Sequence, residues 1–211
     1  MDLLRIDTQR VYNELWELMT TLQLEPGAVL NVPALAERLG TSVRAVEEAL
    51  KLLAHEGLVS VTLRHGIYVA EADAAELAEL SELRLPLEGL AARLAAERAT
   101  PDDVVVLEAL CREQESLASD DPAVLIDLDH RFHQAIAAAA HNRYLAQTLE
   151  RFFGLVRRLW FLALPELSSL PSAVEEHLAL VAAIQSGDSE AAERLMRQHV
   201  AGFYEEAKEK L

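Results

Sequence analysis

The 211-residue sequence is 51% hydrophobic and carries a net charge of −16, with 19 Lys and Arg against 35 Asp and Glu. That length and apolar content suffice for one large or two modest domains with real cores and exclude a disordered chain, and the single cysteine, Cys111, excludes an intramolecular disulfide and reads as a small packed hydrophobe. No apolar run approaches the roughly 20 residues of a membrane span, and the start Met1-Asp-Leu-Leu-Arg5 lacks a signal-peptide layout, so a cytoplasmic protein is expected.

From Thr8 to about Leu24, Val11, Leu15, Leu18, Met19 and Leu22 recur at spacings of three and four and predict a helix, ended by Pro26-Gly27. Val29-Leu-Asn-Val32 is short and β-rich. Pro33 opens a second helix over Ala34 to Leu39, which Gly40 closes. Thr41 or Ser42 caps a third, from Val43 to about His55, whose buried stripe is Val46, Ala49, Leu50 and Leu53. Two helices joined through a glycine turn make a helix-turn-helix. Leu58 to Leu63 and Ile67 to Ala70, joined by Arg64-His-Gly66, read as a hairpin behind it. The result is a winged helix-turn-helix, a pattern shared by DNA-binding domains and by small interaction modules. Charge argues mildly against nucleic acid: residues 1–70 hold six Lys and Arg against nine Asp and Glu, whereas phosphate neutralisation supplies most DNA affinity.

Beyond Ala70 the chain is Ala, Leu, Glu and Arg at helical period. Breaks at Thr100-Pro101, Asp120 to Pro122, Asn142, Pro165, Pro171 and Gly187-Asp188 cut it into helices over about 74–99, 102–119, 122–140, 143–164, 172–186 and 188–210. Pro86 should kink or split the first near Arg84, and Thr100 and Ser189 stand where N-caps would serve. The expected fold class is mainly α: a winged helix-turn-helix over 1–70, a polar linker over 71–74 and an all-helical domain over 75–211.

Within the helical part, residues 127–142 pack three histidines and two aspartates into an aliphatic stretch. Asp129 and His133, four apart, share a helix face and can chelate one metal ion, although an isolated Asp-x-x-x-His is also the pattern of an ordinary surface pair. His130 and His141 read as partly exposed side chains. His177 and His199 lie in amphipathic patterns of their own. If those helices pack back onto the first, one Asp and three His converge as a nitrogen-rich divalent-metal site with room for a further ligand.

Leu24-Glu-Pro-Gly-Ala-Val-Leu30, Leu35-Ala-Glu-Arg-Leu-Gly40, Ala45-Val-Glu-Glu-Ala-Leu50, Leu53-Ala-His-Glu-Gly-Leu-Val59 and Arg64-His-Gly-Ile-Tyr-Val69 resemble the N-terminal domain of GntR-family bacterial transcription regulators. Glu82-Leu-Arg-Leu-Pro-Leu-Glu-Gly-Leu90, Ala95-Ala-Glu-Arg98, Asp129-His-Arg-Phe-His133, His141-Asn-Arg-Tyr-Leu145, Glu176-His177 and Gly187-Asp-Ser-Glu-Ala-Ala-Glu193 with His199 resemble the ligand-sensing FCD domain of the FadR-type subfamily. The resemblance implies a homodimeric repressor or activator, repressor being the first choice, that binds operator DNA and is not an enzyme. It implies a divalent metal on Asp129, His133, His177 and His199, with zinc first and nickel, cobalt or manganese also suited. It further implies a small organic acid completing the coordination sphere, helped by Arg84. Asn142 matches a position near the metal and equally a helix cap. Arg157 and Arg158 are further effector candidates, although neighbours on a helix cannot both face one cavity.

For DNA, Ser42, Arg44, Lys51, Arg64 and His65 are the candidates. The recognition helix departs from the family pattern, because Val43 and Glu47 occupy two expected arginine positions and Pro33 a third. Glu47 can pair with Lys51 or accept from a cytosine amino group. A second reading therefore stays beside the regulator: a metal-dependent small-molecule binder whose winged domain has lost DNA binding. A metalloenzyme, with Asp127 or Glu176 as base, is a weaker third.

Overall fold

A computed structural model describes residues 2–62, 66–116, 122–163 and 170–208. The chain divides into two compact units, Met1–Ala72 and Asp73–Leu211.

In the first unit, α1 (Asp2–Thr20), α2 (Val32–Arg38) and α3 (Val43–His55) precede β1 (Val59–Thr62) and β2 (Gly66–Val69). The strands pair antiparallel, with Val59 opposite Val69 and Thr62 opposite Gly66, and Val29 bridges Tyr68. The apolar stripe of α1 (Val11, Leu15, Met19) and that of α3 (Val46, Ala49, Leu50, Leu53) are both buried, and the two helices pack together. α1 stops at Thr20 rather than Leu24, because Leu22 turns left-handed at φ 60° and the amide of Leu24 closes onto the Leu18 carbonyl at 2.8 Å. Asn31 caps α2 through its Oδ1, which accepts from Ala34 N at 3.0 Å, ahead of Pro33. Ser42 Oγ caps α3 by accepting from Ala45 N at 3.2 Å. Between them Gly40 takes φ 59°, and α1 clamps the turn: Arg10 donates to the Leu39 carbonyl at 3.2 Å and Thr41 Oγ1 to Asp7 Oδ2 at 2.5 Å.

The second unit consists of α4 (Ala74–Arg98), α5 (Pro101–Ser116), α6 (Pro122–Ala139), α7 (Arg143–Ala163), α8 (Leu170–Ser186) and α9 (Ser189–Lys208). Its core gathers Leu107, Leu110, Phe132, Ile136, Leu180, Ile184, Met196 and Val200 around the small residues of α4. Cys111 is buried in the same core, which pushes its thiol up to about 11 and leaves it unreactive.

Two expectations need correction here. α4 is not split at Pro86 but continues as one helix, and since Pro86 and Glu82 are both exposed, the carbonyl that loses its partner is open to water. α9 is capped by Asp188, whose Oδ1 accepts from Ala191 N at 3.0 Å, and Ser189 is already the first helical residue. Thr100 does cap α5, in a reciprocal box with Asp103.

α4 and α9 approach closely at Gly89, where a Cβ would stand 2.7 Å from Arg197 Cγ. Gly89→Ala should therefore destabilise by about 1 kcal/mol or more, despite alanine's better helix propensity. Urea unfolding checks this, and a stabilised variant would show that Arg197 yields freely.

Candidate metal centre and adjoining cavity

Asp129 and His133 face inward from α6, His177 from α8 and His199 from α9. One donor atom from each lies within 4.8 Å of all the others. His133 Nε2 and His199 Nε2 are 3.1 Å apart, and His177 Nε2 and His199 Nε2 3.3 Å. Asp129 Oδ1 is 3.4 Å from His177 Nε2 and 3.7 Å from His199 Nε2, and Oδ2 is 3.8 Å from His133 Nε2. Donors about 2.1 Å from one cation stand about 3.0 Å apart at octahedral and about 3.4 Å apart at tetrahedral angles. The two spacings from His199 to the other imidazoles fall in that interval, and the Asp129 oxygens stand slightly farther out at 3.4–3.8 Å. His177 is fully buried and stacks on Phe132, which fixes its ring plane.

The other nitrogen of each imidazole points outward to an acceptor. His133 Nδ1 donates to Glu88, His177 Nδ1 to Gln114 Oε1 at 2.9 Å and His199 Nδ1 to Glu176 Oε2 at 2.6 Å. A neutral imidazole whose Nδ1 carries its proton presents a lone pair at Nε2, so with all three rings neutral three lone pairs and a carboxylate would converge on one centre. That donor set fits a divalent ion of the zinc, nickel, cobalt or manganese kind.

The charges in the cluster follow from its packing. Burial alone would raise Asp129, but His133, His177 and His199 outweigh it and hold the carboxyl well below its ordinary value. Burial pushes His177 down to about 4. Burial also opposes protonation of His199, yet the Asp129 carboxylate 3.7 Å away and the hydrogen bond to Glu176 prevail and push it up to about 9. Without an ion, Asp129 is therefore a carboxylate and His177 is neutral at neutral pH, whereas His199 is protonated and must give up its Nε2 proton on ligation.

Glu88, one turn beyond Arg84 on α4, is 5% exposed. Burial disfavours its charge, but Arg84, whose Nε donates at 2.6 Å, and His133 bring it down to about 2. Arg84 is thus bound to the outer layer of the cluster through Glu88.

Beside the cluster, chiefly between α6 and α7, lies a cavity of about 730 Å³ lined by Arg84, Glu88, Asp129 and His133 among others. The other two effector candidates lie elsewhere. Asn142 caps α7, accepting from Leu145 N at 3.3 Å, and is not in the cavity wall. Arg158 is buried and turned to Glu76, 2.5 Å away, so the core rather than the cavity holds it. Arg157 is likewise buried, 3.3 Å from Asp127. His130 is partly exposed, as expected, and stacks on Phe153 in the cavity wall. His141 is half-exposed and 3.0 Å from Asp103. Glu88 and Gln114 went unnoticed in the sequence.

In the first unit, Ser42, Val43, Arg44 and Glu47 are exposed on α3, with Val43 at 44%. Lys51 is also exposed but pairs with Glu48 at 2.8 Å rather than with Glu47. Arg64 and His65 lie outside the described residues. No helix among the described residues is long and apolar enough to cross a membrane.

Comparison with known proteins bears on both units. Residues 7–69 match the bacterial regulatory proteins of the gntR family and residues 79–202 match the FCD domain. The HTH-type transcriptional regulator McbR of Escherichia coli strain K12 is 30% identical, covering 94% of this chain and 93% of its own. The HTH-type transcriptional repressor RspR of the same strain is 27% identical over 95% and 89%. The solved structure of E. coli McbR/YncC superposes with a TM-score of 0.79 at 28% identity, covering 94% of this chain and 97% of that one.

Proposed function

As the chain belongs to the gntR family of bacterial regulatory proteins and carries an FCD domain, it is a DNA-binding transcriptional regulator, and we propose that it is a metal-containing one whose effector is an organic acid. The observation that carries this reading is the convergence of three Nε2 atoms and the Asp129 carboxylate, each imidazole oriented by an acceptor on its far side. Three neutral imidazoles and one carboxylate leave a 2+ ion with net positive charge and, at six-coordination, two open positions for a carboxylate from the adjoining cavity. Arg84 stands in the same wall. Domains over 1–70 and 75–211 divide the work between operator and effector, a second copy of the chain supplies the other half-site reader, and repression is the mode favoured by the likeness to RspR.

Gel shift at low salt against the promoter region beside the gene, with and without zinc and simple carboxylates, tests the proposal. A retarded band that responds to acid only when metal is present supports it. A band indifferent to both removes the sensor.

The charge-balanced face of α3, with Arg44 and Lys51 against Glu47 and Glu48, adds a quantitative expectation. Arg44 is its one exposed arginine among the described residues. If it neutralises a phosphate, Arg44→Ala lowers the slope of log affinity against log salt by about one. Fluorescence anisotropy over a salt series reads this, and an unchanged slope takes Arg44 off the DNA backbone.

A further inference from the structure

The cavity beside the four-residue cluster is far larger than an acid of two or three carbons needs. Its volume of about 730 Å³ is that of pockets enclosing much bulkier ligands. Its wall is also unusual for this chain, which has only two Trp, four Tyr and five Phe. Phe152, Phe153 and Trp160 all line it and all stay half-buried, whereas the core beneath takes Phe132. Trp160 is held in place by stacking on Phe203. Half-buried aromatic rings in a cavity wall leave apolar area in contact with water, which an apolar ligand would cover.

The polar part of the wall is arranged around Glu150. His130, stacked on Phe153, brings its Nε2 to 3.6 Å from Glu150 Oε2, and Gln134 Nε2 donates to the same oxygen at 2.6 Å. Glu150 is itself half-exposed in the lining, and both of these contacts are made through its Oε2. The nearby His130 imidazole and the Gln134 hydrogen bond hold the Glu150 carboxyl below its ordinary value, so the wall is anionic there and repels a second carboxylate. Of the arginines in the lining, Arg84 is committed to Glu88 and Arg151 stands exposed at the edge.

We propose that the effector is an aromatic monocarboxylic acid with a hydrogen-bond donor at the end of the ring remote from its carboxylate. The ring lies between α6 and α7 against Phe153 and Trp160, the remote hydroxyl donates to Glu150, and the carboxylate reaches the Asp129, His133, His177 and His199 cluster. This inference rests on the reading of that cluster as a metal centre open to a carboxylate.

Calorimetric titration of the full chain, loaded with one equivalent of zinc, with acetate, succinate, phenylacetate and 4-hydroxyphenylacetate tests it. Both aromatic acids should bind about tenfold or more tightly than acetate and succinate, because a buried ring adds apolar area. 4-Hydroxyphenylacetate should be the tightest, and Glu150→Ala should abolish its lead over phenylacetate. Phe153→Ala, checked for folding and zinc content, should cut the aromatic preference about tenfold. Zinc retained with acetate or succinate binding as tightly as the aromatic acids, or with no acid binding, overturns this proposal and leaves the metal centre standing. Zinc not retained by the wild-type protein overturns the metal reading, and this inference with it.

Discussion

Glu88→Ala is expected to cost about 3–5 kcal/mol of stability, the usual consequence of removing one partner from a buried ionic group. The carboxylate is 5% exposed and receives hydrogen bonds from Arg84 Nε and His133 Nδ1. Without it, Arg84, whose side chain is only 14% exposed, keeps its charge and loses its counter-ion. His133 loses the acceptor that selects its Nδ1–H tautomer, so Nε2 is no longer reserved for a metal. The near-isosteric Glu88→Gln separates the two effects: it preserves the packing and should still lower zinc affinity about 10–100-fold, as changes to outer-layer partners of metal ligands do. Urea unfolding and competitive zinc titration read the two numbers. A loss below about 1 kcal/mol together with unchanged zinc affinity would mean that Glu88 merely neutralises Arg84.

Removing the metal should have the second-largest effect. An ion present at 100 to 1,000 times its dissociation constant stabilises the folded state by about 3–4 kcal/mol. For a unit of this size that corresponds to a fall in Tm on the order of 10 °C when a chelator is added. α6, α8 and α9 contribute the four donors, so the helical unit should carry the shift, and the helix-turn-helix unit, which has none of them, should not. In His177→Ala the response should vanish, because the residue lost is a ligand buried at 0% exposure. Scanning calorimetry with and without chelator checks this. An equal shift in wild type and His177→Ala would place the ion elsewhere.

The helices were legible because their signals are local. The boundaries of α3, Val43–His55, agree with the reading from its cap and apolar stripe, and those of α4 to α9 fall within a few residues of the proline and glycine breaks. Errors arose where a competing local interaction decided the outcome: Leu22 turning left-handed ahead of Pro26, Asp188 capping in place of Ser189, and an exposed Pro86 that leaves α4 intact. The i,i+4 spacing exposed Asp129 and His133 as a pair, but nothing in spacing says that His177 and His199 join them. That expectation comes from family resemblance, and the structure brings all four together. The outer layer was harder still. Glu88 and His133 are 45 positions apart and Gln114 and His177 are 63 apart, so no periodicity links them. Arg158 misled for a related reason: a helical pattern shows that it points inward without showing that Glu76 waits there.

X-ray absorption at the metal edge of the zinc-loaded protein tests the shared centre most directly. Three imidazole nitrogens and a carboxylate oxygen at about 2.0–2.2 Å are expected, falling to two imidazoles in His199→Ala. A spectrum with one imidazole or none in the wild-type protein would contradict a centre built from Asp129, His133, His177 and His199.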